Sequence, residues 1–151
     1  DVAYGGKRGD GKSWREWALS QWPMDPSRLH YLPALQYDEY LQVLQRSWVH
    51  VYWTVPFILS WSLMESLASG CCVVASDTPP VREMIRSGEQ GMLVDFFDPA
   101  ALAQQVDALL QDPEGRSALG AAARSTIVDG GYDLQTCLQA QLQLIERVMA
   151  A

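Results

Sequence analysis

Apolar positions along the chain change period several times, and each change marks an element. Ser13 caps a predicted short helix carrying Trp14, Trp17 and Trp22. Arg28 to Leu32 reads as a short strand. From Tyr37 to Arg46 the apolar residues Tyr40, Leu41 and Leu44 share one side of a helix. Trp48 to Trp53 is aromatic and β-branched, as a buried strand is. Ser62 to Ser69 is then a short helix with Gly70 at its stop, and Cys72 to Ser76 the next strand. A helix from Pro80 or Val81 to Arg86 leads to a strand over Gly91 to Asp95.

Three helices close the pattern. Asp98-Pro99 is an N-cap followed by proline at the first helical position, and Leu102, Val106, Leu109 and Leu110 lie on one face behind it. Glu114 to Ile127 is the second helix. Asp133 to Ala150 is the third, with Leu134, Leu138, Leu142, Ile145 and Met149 along one stripe. Strands that are near-continuous apolar runs, alternating with helices, predict an α/β fold: a three-layer, Rossmann-like parallel sheet with helices on both faces. Residues 1–151 are read as one domain, with residues 1–12 as a flexible polar loop. The chain opens in polar sequence without Met, which suggests a fragment.

Composition narrows the function classes. A formal charge of −7 disfavours a general nucleic-acid binder, because phosphate backbones call for clustered Lys and Arg. No apolar run approaches the roughly 20 residues of a membrane span. The three cysteines form neither a Cys-x-x-Cys site nor a disulfide framework, and read as reduced, buried thiols of a cytoplasmic protein. The only histidines, His30 and His50, are far apart and read as structural. Side chains suited to a metal are therefore scarce. The tryptophans near Ser13 read as packing or partner contacts, and Gly5-Gly6-Lys7 lacks the spacing of a phosphate loop.

In an open α/β sheet, ligands bind beyond the carboxyl ends of the strands. Here the loop after Trp53 leads into the helix bearing Glu65, the most informative stretch of the chain. A helix N-terminus offers unpaired N–H donors and a partial positive charge, which suit phosphate. Ser60 and Ser62 add hydroxyls there, and Glu65, about one turn in, is placed to accept from two adjacent hydroxyls such as those of a ribose. On spacing alone, a solvated acid complementing the helix dipole accounts for Glu65 equally well.

The segment Glu65-Ser66-Leu67-Ala68-Ser69-Gly70 resembles the Glu-Ala-x-Ala-x-Gly signature of retaining GT-B glycosyltransferases of the group 1 family. Val73-Val74-Ala75-Ser76-Asp77, Glu83-Met84-Ile85, Gly88 to Val94 and Asp98 to Ala103 continue the likeness in register. It extends weakly from about Arg28 and through the last helices. The resemblance implies the C-terminal, donor-binding half of such an enzyme. Glu65 would hold the ribose hydroxyls of a UDP- or GDP-sugar, and Ser60, Trp61, Ser62 and Leu63 would face its diphosphate through backbone N–H groups. Phe57, Asp77 and Thr78 would be further loop contacts, and the resemblance implies no metal and no cofactor at the site.

The chain departs from the family pattern in places. Phe57 stands where the family often has a second Glu, which would contact the transferred sugar, and Pro79-Pro80 replaces a common Gly-Gly. The basic pair that stabilises the leaving diphosphate would lie upstream of Asp1, as would an acceptor-binding N-terminal domain, so this chain alone is expected to be inert. The implied acceptor is a glycan or lipid-linked glycan of the cell envelope, and the implied location is cytoplasmic, at most peripheral to the inner face of the membrane. Two alternatives stand beside this reading. One is a non-enzymatic module on the same fold, binding a nucleotide sugar or a protein. The other is a flavodoxin-like regulatory domain, for which Asp77 alone argues. The apolar stripe of the last helix implies self-association or a missing domain.

Overall fold

The computed structural model describes residues 9–22 and 24–150. Backbone contacts divide the chain into two units, residues 1–39 and 40–151. Most of the predicted loop at residues 1–12 lies outside the described residues.

In the first unit, α1 spans Trp14–Gln21. A capping box starts it: Ser13 Oγ accepts from the Glu16 amide at 3.1 Å, and the Ser13 amide donates to Glu16 Oε2 at 2.7 Å. Trp17 packs edge-on against Trp14 and Trp22, with ring centroids 5.9 and 5.5 Å apart. The strand predicted over Arg28–Leu32 does not form. Asp25 turns the chain instead, its side chain accepting from the Ser27 amide and its carbonyl from the Arg28 amide. Tyr31 and Leu32 stay exposed, with no neighbouring strand among the described residues to pair them.

Helix α2, Tyr37–Arg46, runs across the boundary between the units. The second unit is built on a parallel sheet of β1 (His50–Tyr52), β2 (Val73–Ser76) and β3 (Met92–Val94), in that spatial order. Each strand lies within its predicted range and is shorter than it. All four residues of β2 are buried, as the central strand of a covered sheet requires.

The alternation of β2 side chains separates two cores. Val73 and Ala75 pack with Leu63 and Leu67 of α3 (Trp61–Ala68), Leu44 of α2 and Val81 of α4 (Pro79–Arg82). Cys72 and Val74 pack with Leu109 of α5 (Pro99–Gln111) and Leu119 of α6 (Pro113–Asp129). Helix α6 serves both cores, since Ala123 and Ile127 belong to the first. Helices therefore cover both faces, and the α/β three-layer expectation holds.

Local chemistry sets the helix ends. Asp98, Asp112 and Asp133 each cap a helix, accepting from the amide three residues on. Gly70, at φ +77°, sits just past the end of α3, where the left-handed region is needed. Helix α4 is shorter than predicted, ending at Arg82 in a turn through Met84. Helix α7 (Leu134–Met149) buries none of its residues, and its apolar stripe is at least half exposed throughout.

Candidate functional site

Three strand ends converge on one edge of the sheet, and the loops leaving them carry the candidate residues. Beyond β1 the loop from Thr54 exposes Val55, Phe57 and Ile58 before it enters α3. Ser60 caps that helix: its Oγ accepts from the Ser62 amide at 3.2 Å and lies 2.7 Å from Ser62 Oγ. The Leu63 amide bonds to the Ser60 carbonyl at 3.1 Å, and the Leu63 side chain is fully buried in the core. The amides of Ser62 and Leu63 are thus engaged within the turn. Trp61, the first helical residue, is 84% exposed.

Glu65 lies one turn further along α3 and is half-buried. Its carboxylate has no hydrogen bond or ion pair to any described residue. Taking a carboxylate partly out of water without a partner is unfavourable, so such a group is suited to accepting from a ligand. Ser60, Trp61, Ser62 and Glu65 are together in the first turns of this capped helix. The Leu63 side chain packs in the core, while its amide belongs to the same turn.

Beyond β2, the Asp77 amide donates to the Val94 carbonyl of β3 at 2.8 Å. The Asp77 carboxylate takes a forked contact from Arg82, at 2.5 Å to Nε and 2.8 Å to the second nitrogen. This hydrogen bonding holds the Asp77 carboxyl below the usual carboxylate range. A depressed folded pKa contributes stability above the unfolded value near 3.8, lost as pH falls through the folded pKa. Wild type and Asp77→Asn are therefore expected to differ slightly in urea midpoint at pH 6 and to converge near pH 2.5. The effect is small because Arg82 is 60% exposed. Equal midpoints at both pH values would show that the pair contributes nothing.

Thr78 is 3% exposed, and its Oγ1 has no hydrogen-bond partner although it precedes α4. Beyond β3, Phe96 stacks on Trp53 with centroids 5.7 Å apart, which joins the loops after β1 and β3.

Elsewhere the chemistry is quieter. Burial lowers the pKa of His50 and favours the neutral ring. Cys71 and Cys72 are buried, and desolvation pushes the Cys71 thiol up to about 11. Cys137 corrects the expectation of three buried thiols, because α7 leaves it exposed. No group of three or more His, Cys, Asp or Glu is clustered as a ligand set among the described residues. An apolar groove of about 480 Å³ lies beside the α3 cap, between Trp61, Met64, Met84 and Leu134. Sequence reading missed Arg82 and Ser76 at this edge. The signal for Arg82 was a base five residues after a strand-end acid; Ser76 gave none, being one more small residue in a buried strand.

The family model for glycosyl transferases group 1 matches residues 27–126, which include every strand and all the candidate residues. The chain belongs to this family. A phosphatidyl-myo-inositol mannosyltransferase of Mycobacterium leprae is 42% identical over 65 residues, covering 43% of this chain and 17% of its own length. Sucrose-phosphate synthase of Thermosynechococcus elongatus superposes with a TM-score of 0.80 at 23% identity, over 90% of this chain and 34% of that one. Anabaena HepE in complex with UDP-glucose superposes with a TM-score of 0.75 at 17% identity, over 91% and 36%. The fold is that of the GT-B glycosyltransferases, and this group 1 chain is a partial domain. It spans about a fifth of the length of the curated relatives it matches.

Proposed function

We propose that this chain is the donor-binding domain of a retaining glycosyltransferase that uses a UDP- or GDP-sugar. The observation that carries the reading is Glu65: a half-buried carboxylate without a described partner, in the first turns of a capped helix, at the strand ends of a group 1 chain. Its two oxygens suit the adjacent hydroxyls of a ribose. The start of α3, exposed at Trp61, adds the positive end of a helix dipole for the diphosphate. Complexes of HepE with UDP and with UDP-glucose, on the same fold, support a nucleotide-sugar ligand.

Transfer itself would take place in the whole protein. There, basic residues and an acceptor-binding domain outside this chain would complete the cleft and stabilise the departing diphosphate. No metal or cofactor enters this scheme. We place the acceptor among cell-envelope glycans or lipid-linked glycans, and the protein in the cytoplasm or at the inner face of the membrane. No helix among the described residues is long and apolar enough to cross a membrane.

Calorimetric titration with UDP, GDP and their sugar conjugates tests this, with a Glu65 variant in parallel. One nucleotide class is expected to bind and to be lost in the variant; a folded wild-type chain that binds neither class would overturn the proposal. A second reading, a binding module without turnover, is favoured by Phe57, which is exposed where a sugar-contacting acid would stand. Turnover by the full-length protein would exclude it.

The exposed stripe of α7 carries a separate expectation. Leu138, Leu142, Ile145 and Met149 repeat at spacings of four, three and four, the seam along which helices pair. The isolated chain is expected to self-associate in sedimentation, and Leu142→Glu to return it to monomer. A wild-type monomer at all concentrations would refute this.

A further inference from the structure

We propose that Ser76 is a positioning residue for the donor site, holding the loop that leads from β1 to α3. This inference rests on the donor-binding reading above.

The parallel ladder between β1 and β2 ends at the pair Tyr52 and Ala75. One residue further, on its other side, Ser76 is in register with Val94 of β3. Toward β1 its side chain takes over from the backbone. Ser76 Oγ accepts from the Thr54 amide at 3.1 Å and donates to the Thr54 carbonyl at 2.7 Å. A serine hydroxyl has one proton to give and lone pairs to receive, and both functions go to the same residue. The hydroxyl is fully buried, so water does not compete for it.

This tie has consequences for the loop. Among the described residues no backbone–backbone hydrogen bond holds residues 55–59; the Val55 carbonyl accepts only from the neighbouring Thr54 hydroxyl, and Val55, Phe57 and Ile58 are exposed. At the end of the loop Leu59 packs against the first core and Ser60 caps α3; at its start the described tie to another strand is that of Ser76 on Thr54. The position of Phe57 relative to the strand ends, and the approach to the first turn of α3, are set between them. A loop fixed at one end only would spread over more conformations, and a ligand binding there would have to restrict them.

Three variants of the 151-residue chain test the role, by amide exchange and by titration with UDP and GDP. In Ser76→Ala the Thr54 amide is expected to exchange at least about tenfold faster while those of Val74 and Ala75 do not change. The nucleotide that wild type binds is expected to bind about tenfold more weakly. Ser76→Thr, which keeps the hydroxyl, should restore both. Ser76→Cys, of similar volume with a weaker donor, should fall between, and it replaces the alanine variant if that one does not fold.

Unchanged Thr54 protection in Ser76→Ala would overturn the inference. So would faster exchange with unchanged nucleotide affinity, which would leave the donor site intact but independent of this tie. A wild-type chain that binds neither nucleotide would remove the donor reading, and this role with it, before any substitution is compared.

Discussion

Glu65→Gln is expected to weaken binding of the cognate nucleotide sugar by about a hundredfold, with little change in folding stability. A carboxylate accepts from two hydroxyls at once, and hydrogen bonds to a charged group contribute about 1.5–3 kcal/mol each. Glutamine keeps the shape but presents one acceptor and one donor, so one hydroxyl loses its partner and the charge is gone. A net loss of about 3 kcal/mol corresponds to about a hundredfold in affinity. The folded chain loses no described contact of Glu65, so its unfolding free energy should move by less than about 0.5 kcal/mol.

The competing view makes the opposite pair of predictions. If Glu65 only complements the α3 dipole, the substitution removes about 0.3–1 kcal/mol of stability and leaves nucleotide affinity unchanged. Titration and denaturation of the same two proteins separate the two cases. An unaltered dissociation constant would end the ribose assignment.

Gly120→Ala is expected to destabilise the second unit by about 1–3 kcal/mol, lowering its melting temperature by several degrees. Helix propensity alone predicts the reverse, since alanine is favoured over glycine inside a helix by about 1 kcal/mol. The difference lies in what α6 touches. A Cβ at Gly120 would stand 2.3 Å from the Gly70 carbonyl oxygen and 3.2 Å from its carbon. Both are backbone atoms at the turn between α3 and β2, and no side chain can rotate away. Arg124, one turn on, donates to the Ala68 carbonyl and pins the same corner.

Either α6 shifts outward, opening the core around Ala123 and Ile127, or the turn moves and carries α3 with it. The sign of the change is therefore diagnostic. A stabilised Gly120→Ala protein would mean that α6 does not approach Gly70 so closely. Exposed Ala121→Gly, one residue along, is the control, since it reports propensity without the contact.

What could be read ahead of the fold was local or strongly periodic. Asp98, Asp112 and Asp133 satisfy amides three residues away, so their capping is visible in a short stretch of sequence. Gly70 ends α3 for a reason internal to its own backbone. The apolar runs of β1, β2 and β3 announce burial on both faces wherever the partners come from. Glu65 was legible as a candidate because the serine cap and the helix start that place it lie within five residues of it.

Errors arose where the outcome depended on a distant partner. Arg28–Leu32 has a strand's composition, but a strand exists only when another pairs with it, and Asp25 turned the chain first. Cys137 read as one more buried thiol, but no described element covers α7 and its sulfur stays exposed. The Arg82 contact to both oxygens of Asp77 went unread for the same reason, since it needs the turn after β2 to form.

The chain's own pattern thus determined an α/β fold, the order of its elements from α2 onward, many of their capped ends and the helix that carries Glu65. Tertiary structure alone decided that Ser76 ties down Thr54, that Gly120 must remain glycine against Gly70, and that α7 keeps its stripe in solvent. The reason is range. Caps and turns close their hydrogen bonds within a few residues, whereas the Ser76 tie spans 22 positions and exists only once β1 and β2 lie side by side.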